Sequence, residues 1–182
     1  MELIPKQILR DFLDILTRLG IDYALIGGLA AGIWSKERFT SDMDLTISID
    51  QKTWAALEKK FAYLPDVNIK KIARDTGEVI PYLVRIDYKG YPIDLIASLT
   101  PYQDELLKNK LKSTLVGEDI YIAAPEDIIV LKLIANRSLD IVDIEKIIQY
   151  TAPLNIDYIQ KWAKEWDVLD LWNKIVAKVK SP

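Results

Sequence analysis

The sequence predicts an α/β fold of the α+β kind, a mixed β-sheet flanked by helices and followed by a helical C-terminal segment. Two patterns carry this expectation. Between residues 20 and 123, short apolar runs with the strand period of two alternate with helical stretches, and Gly, Pro, Asn and Asp punctuate them. From Pro125 onward only the helical period remains. Half of the 182 residues are hydrophobic, enough at this length for one sizeable core. The expected organisation is a core over 1–123, including an N-terminal helix, with a helical segment over 124–182 packed on it.

Residues 5–19 place Ile8, Leu9, Phe12, Ile15, Leu16 and Leu19 at helical spacing, with Pro5 as start and Gly20 as stop. Ile21 to Ile26 reads as a short buried strand running into Gly27-Gly28, and Leu29 to Trp34 as a short helix. Met43, Leu45, Ile47 and Ile49 then alternate with Asp42, Asp44, Thr46 and Ser48, a strand whose apolar face excludes both aspartates. Residues 51–63 form a helix around Trp54, Leu57 and Phe61. Strands follow at 67–73, 82–88 and 91–97, the last two joined by a tight turn at Lys89-Gly90. A helix is expected at 103–111, and one or two short strands about Gly117 within 113–123. Pro125-Glu126-Asp127 opens a helix to about Asn136, with proline and acids in its first turn as the helix dipole favours. The remainder is helical over 138–150, 155–166 and 167–179.

Composition excludes several chemistries. With 24 basic and 27 acidic side chains the net charge is −3, so no global basic field holds a polyanion. The absence of Cys and His removes disulfides, thiolate metal sites, zinc hydrolase chemistry and His-based triads. No apolar stretch reaches the roughly 20 residues of a membrane span, and the N-terminus is not a signal peptide. The expected location is cytoplasmic, with no membrane partner.

The informative feature is a hydrophobic strand ending in Gly27-Gly28, then thirteen residues, then Asp42-Met43-Asp44 at the start of another strand. Carboxylates at i and i+2 on a strand point the same way, about 6 to 7 Å apart. Mg²⁺ takes hard oxygen ligands and is commonly held by one or two carboxylates together with substrate phosphates. A Gly-Gly turn that opens a helix supplies bare N–H groups for a phosphate. Together they describe a nucleoside triphosphate site with Mg²⁺ or Mn²⁺ as cofactor. Asp94, a lone acid in the apolar run Tyr91 to Ala97, joins the cluster if its strand lies beside that of Asp42 and Asp44. Three acids so placed would repel strongly, about 4 kcal/mol for one pair at 4 Å and an effective dielectric of 20, and so imply a cation. Lys132 is the only charge between Ile128 and Ala135, a run apolar on every helical face. A buried lysine there needs an anion, either a triphosphate or the aspartates Asp140 and Asp143 on one face of the next helix.

Gly27-Gly28, Asp42-x-Asp44 and Asp94 resemble the nucleotidyltransferase superfamily with the DNA polymerase beta-like core. The stretch from Ala24 to Thr46, with Phe39-Thr40-Ser41 leading into Asp42, looks most like the AbiEii/AbiGii toxin-related branch. Pro125 to Lys132 and Arg137-Ser-Leu-Asp140-Ile-Val-Asp143 resemble that branch's lysine and Arg-x-x-Asp-x-x-Asp motifs. One departure is Gly28, where many members of the superfamily carry Ser. The resemblance implies a metal-dependent transfer of a nucleoside monophosphate from an NTP to an acceptor hydroxyl, on an RNA or tRNA end or a protein. A toxin–antitoxin partner is implied with it.

In that reading Asp42, Asp44 and Asp94 are catalytic and metal-binding, and Asp94 orients or deprotonates the nucleophile. Gly27 and Gly28 cradle phosphates, Lys132 neutralises the leaving pyrophosphate, and Asp140 and Asp143 belong to the nucleotide pocket. Arg38 and Thr40, just before the acids, are further candidates for phosphate contact, although loop residues of these types are more often solvated or turn-forming. The alternative is a noncatalytic nucleotide-binding or antitoxin-like protein that retains the fold. Trp162, Trp166 and Trp172 recur with aliphatic residues at helical spacing, a core pattern rather than a base-stacking one.

Overall fold

The computed structural model describes residues 4–36, 40, 42–64, 67–72 and 82–180. In chain order the elements are α1 (Lys6–Arg18), β1 (Asp22–Ile26), α2 (Gly27–Ser35), β2 (Met43–Ser48), α3 (Gln51–Ala62), β3 (Val67–Ile72), β4 (Leu83–Tyr88) and β5 (Tyr91–Ala97). They continue with α4 (Pro101–Asn109), β6 (Leu111–Leu115), β7 (Glu118–Ile122), α5 (Pro125–Ala135), α6 (Ser138–Tyr150), α7 (Ile156–Glu165) and α8 (Leu169–Lys180). Seven strands form one sheet in the order β3-β4-β5-β2-β1-β7-β6. It is mixed: β2 runs parallel to β5 and β1 to β7, and the other neighbours are antiparallel.

The mixed sheet with flanking helices is the fold class that the sequence predicts. Local chemistry sets most of the boundaries. The Asp50 carboxylate accepts the Thr53 N–H at 2.7 Å and starts α3. Thr100 caps α4, with Pro101 in its first turn. Two hairpins turn on residue pairs with positive φ, Lys89-Gly90 and Val116-Gly117, the conformation that joins twisted strands through two residues. The second of these divides the ambiguous run 113–123, and β6 begins at Leu111, because α4 ends at Asn109 rather than at the expected residue 111. The helix expected from Leu29 begins at Gly27, because the glycine pair serves as its first turn rather than as a separate loop.

The two faces of the sheet carry different loads. On one, Tyr23, Leu25, Leu45, Ile47, Ile86, Tyr88, Ile93 and Leu95 are buried, and Phe12 of α1 stacks on Phe61 of α3 at 5.7 Å while meeting Tyr88 edge-on at 5.9 Å. The other face is covered by α2 and α4; α5 packs against α2, and α6, α7 and α8 buttress these helices from outside. Trp34 at the end of α2 donates its indole N–H to the Ala123 carbonyl at 3.0 Å, and its own carbonyl accepts the Thr151 hydroxyl at 3.0 Å. Asp127, wholly buried in α5, joins three helices: its carbonyl accepts Tyr102 of α4 at 3.0 Å and its carboxylate accepts Tyr158 of α7 at 2.6 Å. Burial pushes the Asp127 carboxyl up to about 7. Among the described residues, no helix is long and apolar enough to cross a membrane.

Candidate active site

The site lies where β1, β2, β5 and β4 run side by side. Their register sets Ile26 opposite Asp44, Asp44 opposite Asp94, and Asp94 opposite Arg85, one row across the sheet. Directly paired residues share a face, and neighbouring strands lie about 4.8 Å apart. The alternation that buries Met43, Leu45, Ile93 and Leu95 on the α1–α3 side therefore sends Asp44 and Asp94 together to the opposite side. Asp42, two residues before Asp44, is exposed at the rim, and its N–H donates to the Thr40 hydroxyl at 3.3 Å. Thr40 thus shapes the approach to the acids. Arg38, with Phe39 and Ser41, lies outside the described residues.

Gly27 meets Asp44 directly. Its φ is +69°, and a Cβ there would stand 2.7 Å from Asp44 Cγ and 2.9 Å from its Cβ, overlapping the carboxylate. Only glycine lets the acid lie against the start of α2, with Gly28 next in the same first turn. Gly27→Ala should therefore displace Asp44 or unwind the first turn. The expected outcome is a stability loss of at least about 1 kcal/mol in urea denaturation, from the φ alone.

The electrostatics of Asp44 follow from this packing. Burial, then repulsion from Asp94 and Asp42, pushes its carboxyl up to about 6, against the opposing pull of Arg85 and Arg137. Asp94 meets Arg85 side-on: Nε donates to Oδ1 at 2.8 Å and Nη2 to Oδ2 at 2.6 Å. Across β2–β5 from it, Asp44 lines a cleft of about 270 Å³ together with Ile26, Gly27, Ile96, Lys132, Arg137 and Asp140 among others.

The far wall is a buried ionic network. Lys132, 5% exposed, donates to Asp140 at 3.0 Å and to Asp143 at 2.6 Å. Asp140 also accepts the Arg137 backbone N–H at 3.2 Å, as the acid of a helix N-terminus does, and the Arg137 side chain through Nε at 2.6 Å and Nη2 at 3.1 Å. Burial pushes the Asp140 carboxyl up, but the bonds from Arg137 and Lys132 outweigh it and hold the group below its ordinary value. Of the two partners that the sequence offers Lys132, an internal pair of aspartates or a triphosphate, its ammonium engages the aspartates. The cation presented outward at the cleft is Arg137, three-quarters exposed.

Residues 5–167 match the family described as "Nucleotidyl transferase of unknown function (DUF2204)". The chain belongs to this nucleotidyltransferase family. No curated protein matches the sequence. Among solved structures, an antigenic nucleotidyltransferase-like protein from Paracoccidioides brasiliensis is similar at TM-score 0.58 and 22% identity, over 96% of this chain and 91% of that one. The lincosamide antibiotic adenylyltransferase LnuA, lincomycin-bound, is similar at 0.58 and 13%, over 82% and 100%. ANT(2'')-Ia in complex with adenylyl-2''-tobramycin is similar at 0.62 and 12%, over 90% and 98%. At these identities the likeness is one of fold.

In the nucleotidyltransferase, then, the residues singled out from sequence fall into two groups. Gly27 and Asp44 line the cleft on the sheet side, with Asp94 across β2–β5 from Asp44 and Asp42 two residues along its strand; Lys132 and Asp140 line it on the helical side, with Asp143 bonded to Lys132 behind them. Among the described residues, no group of three acids is arranged so that it holds a metal ion by itself. Asp42 sits out along the strand, and Arg85 occupies both oxygens of Asp94. The donor set nevertheless suits a divalent cation that takes the rest of its ligands from phosphate: hard oxygens, with one half-buried carboxylate raised by desolvation and then by its acidic neighbours. Sequence reading missed Arg85. The tight turn at Lys89-Gly90 contained the signal, since counting outward from it pairs Tyr88 with Tyr91 and, three steps on, Arg85 with Asp94.

Proposed function

We propose that this nucleotidyltransferase moves a nucleoside monophosphate from an NTP to an acceptor hydroxyl, with Asp44 and Asp94 as the reacting centre. The observation that carries the reading is the pairing of these two carboxylates on adjacent parallel strands, with Asp44 against the Gly27 turn and lining an open cleft. The acceptor oxygen forms a bond to the α-phosphorus, the bond from that phosphorus to the bridging oxygen of the β-phosphate breaks, and pyrophosphate leaves with the electron pair. Asp94 orients the hydroxyl and takes its proton. Gly27, Gly28 and the N-terminus of α2 bind phosphate oxygens through backbone N–H groups, and Arg137 adds a charge at the cleft wall. Asp42, Asp44 and Asp94 would hold Mg²⁺ or Mn²⁺, which when bound offsets charge on the triphosphate and lowers the pKa of the acceptor hydroxyl. In this reading residues 1–123 are the catalytic core and 124–182 the helical unit that closes the pocket. The role of Lys132 is to hold Asp140 and Asp143, and through Asp140 the guanidinium of Arg137.

For the acceptor, the adenylyltransferase neighbours support a small-molecule hydroxyl, LnuA being lincomycin-bound and ANT(2'')-Ia carrying adenylyl-2''-tobramycin. A second reading, the AbiEii-like toxin branch with an RNA, tRNA or protein acceptor and an antitoxin partner, is favoured by one feature. Lys132 and the Arg137-x-x-Asp140-x-x-Asp143 motif form a single bonded network at the cleft.

The test is label transfer from each α-³²P NTP with Mg²⁺ or Mn²⁺ to lincosamides, aminoglycosides, total tRNA or the protein itself. Wild type should transfer label to one acceptor class, and Asp44→Ala should fall at least about 10³-fold, on the order of 4 kcal/mol of transition-state stabilisation. No transfer to any acceptor overturns the reading. Tight NTP binding without turnover would instead favour the noncatalytic alternative.

A further inference from the structure

We propose that Arg85 is the resident counter-ion of Asp94, a positioning residue that holds this carboxylate on the β4 side and gives it up when a divalent cation enters the site. The inference rests on the nucleotidyl-transfer reading above and concerns what the acids do before that cation arrives.

Four observations carry it. Arg85 stands directly across β4–β5 from Asp94, as Asp44 stands directly across β2–β5 from it, so the guanidinium and the two acids lie in one row on one face. The guanidinium spans both Asp94 oxygens, at 2.8 and 2.6 Å. A cation that takes the edge of Asp94 facing Arg85 displaces the guanidinium, and one that takes the remaining lone pairs meets its positive charge at close range. The Arg85 side chain is 56% exposed whereas that of Asp94 is 16% exposed, so the arginine has solvent to swing into and the acid does not. Finally, among the described residues no three acids are arranged to hold a metal unaided, which is the expected condition of a site whose third acid is already engaged.

The physics is one of exchange between two cations. Asp42, Asp44 and Asp94 together repel one another, and a single positive charge in the row relieves part of that repulsion. A guanidinium matches a carboxylate side-on and keeps its plane fixed. It carries one charge where the incoming ion carries two, and it sits on a flexible stem at the surface. Arg85 thus keeps Asp94 fixed in the row and unavailable to stray cations, with weaker intrinsic affinity for the cation that is wanted.

The experiment compares Mn²⁺ binding, read by EPR without nucleotide, in wild type, Arg85→Gln and Arg85→Lys. If Arg85 competes with the cation, Arg85→Gln should bind Mn²⁺ at least about tenfold more tightly, and Arg85→Lys, a point charge without the side-on match, should lie between. A merely structural arginine predicts the opposite sign, since losing it loosens Asp94. Equal or weaker binding by Arg85→Gln overturns the proposal.

A second readout uses wild type alone, so it does not depend on the folding of a variant. The ¹⁵N–¹H signal of Arg85 Nε, assigned by its loss in Arg85→Lys, should show the bonded guanidinium in free protein and shift as Mg²⁺ with α,β-methylene ATP is added. In Asp94→Asn it should start in the released position. An Nε signal unmoved at saturation also overturns the exchange. Either result leaves the label-transfer assay to judge nucleotidyl transfer itself: transfer with an unmoved arginine removes only the counter-ion role, and failed transfer removes the reading beneath it.

Discussion

Lys132→Met should destabilise the protein by about 3 to 5 kcal/mol, the usual penalty for removing one partner of a buried ion pair. The substitution keeps much of the side-chain volume, so the loss is electrostatic. Asp140 and Asp143 are 1% and 2% exposed, and Lys132 donates to both. Asp140 keeps Arg137 as a cation; Asp143 loses the ammonium at 2.6 Å. Urea denaturation at pH 7 measures the loss, and the triple variant Lys132→Met, Asp140→Asn, Asp143→Asn should recover more than half of it. Equal stability of wild type and Lys132→Met would show that the network is solvated in solution and is not the wall of the cleft.

Asp44→Asn should have opposite effects on activity and on stability. Nucleotidyl transfer should be lost, while the metal-free protein becomes more stable by about 3 kcal/mol at pH 8, from a carboxyl raised to about 6 against an ordinary 3.8. The sign follows from proton binding. Between these two values the folded protein binds more protons at Asp44 than the unfolded chain does, so stability falls as pH rises. The contribution is intact below about pH 4 and is gone above about pH 6. Thermal unfolding of wild type and Asp44→Asn should therefore agree near pH 4 and diverge by pH 8. Mn²⁺ should restore wild type and leave Asp44→Asn unchanged. Parallel pH profiles for the two proteins would mean that Asp44 is not held in a cation-deficient pocket.

Much of the fold is legible in the sequence, because it follows from local rules. Alternation along Met43 to Ile49 fixes which face the acids take, Lys89-Gly90 fixes the β4–β5 turn, and the apolar surround of Lys132 marks it as buried. Long-range pairing is not legible in the same way. The antiparallel register of Arg85 with Asp94 follows from counting outward from a two-residue turn. The parallel register of Asp44 with Asp94 does not, since helix, strand and hairpin all intervene between β2 and β5, and no local rule sets the offset. Nor does sequence spacing decide what Lys132 binds: Asp140 and Asp143 are one turn apart on α6, but their meeting with α5 depends on how the two helices cross. Arg85 was missed because an arginine on the polar side of a strand reads as a solvated residue until its neighbour across the sheet is known.

The absence of a side chain at residue 27 makes the turn and the acid one steric unit. A carboxylate seated against a bare α-carbon leaves no volume for a methyl group between them, so the space open to residue 44 on that side is set by what residue 27 lacks. A change on either side of the contact thus constrains the other.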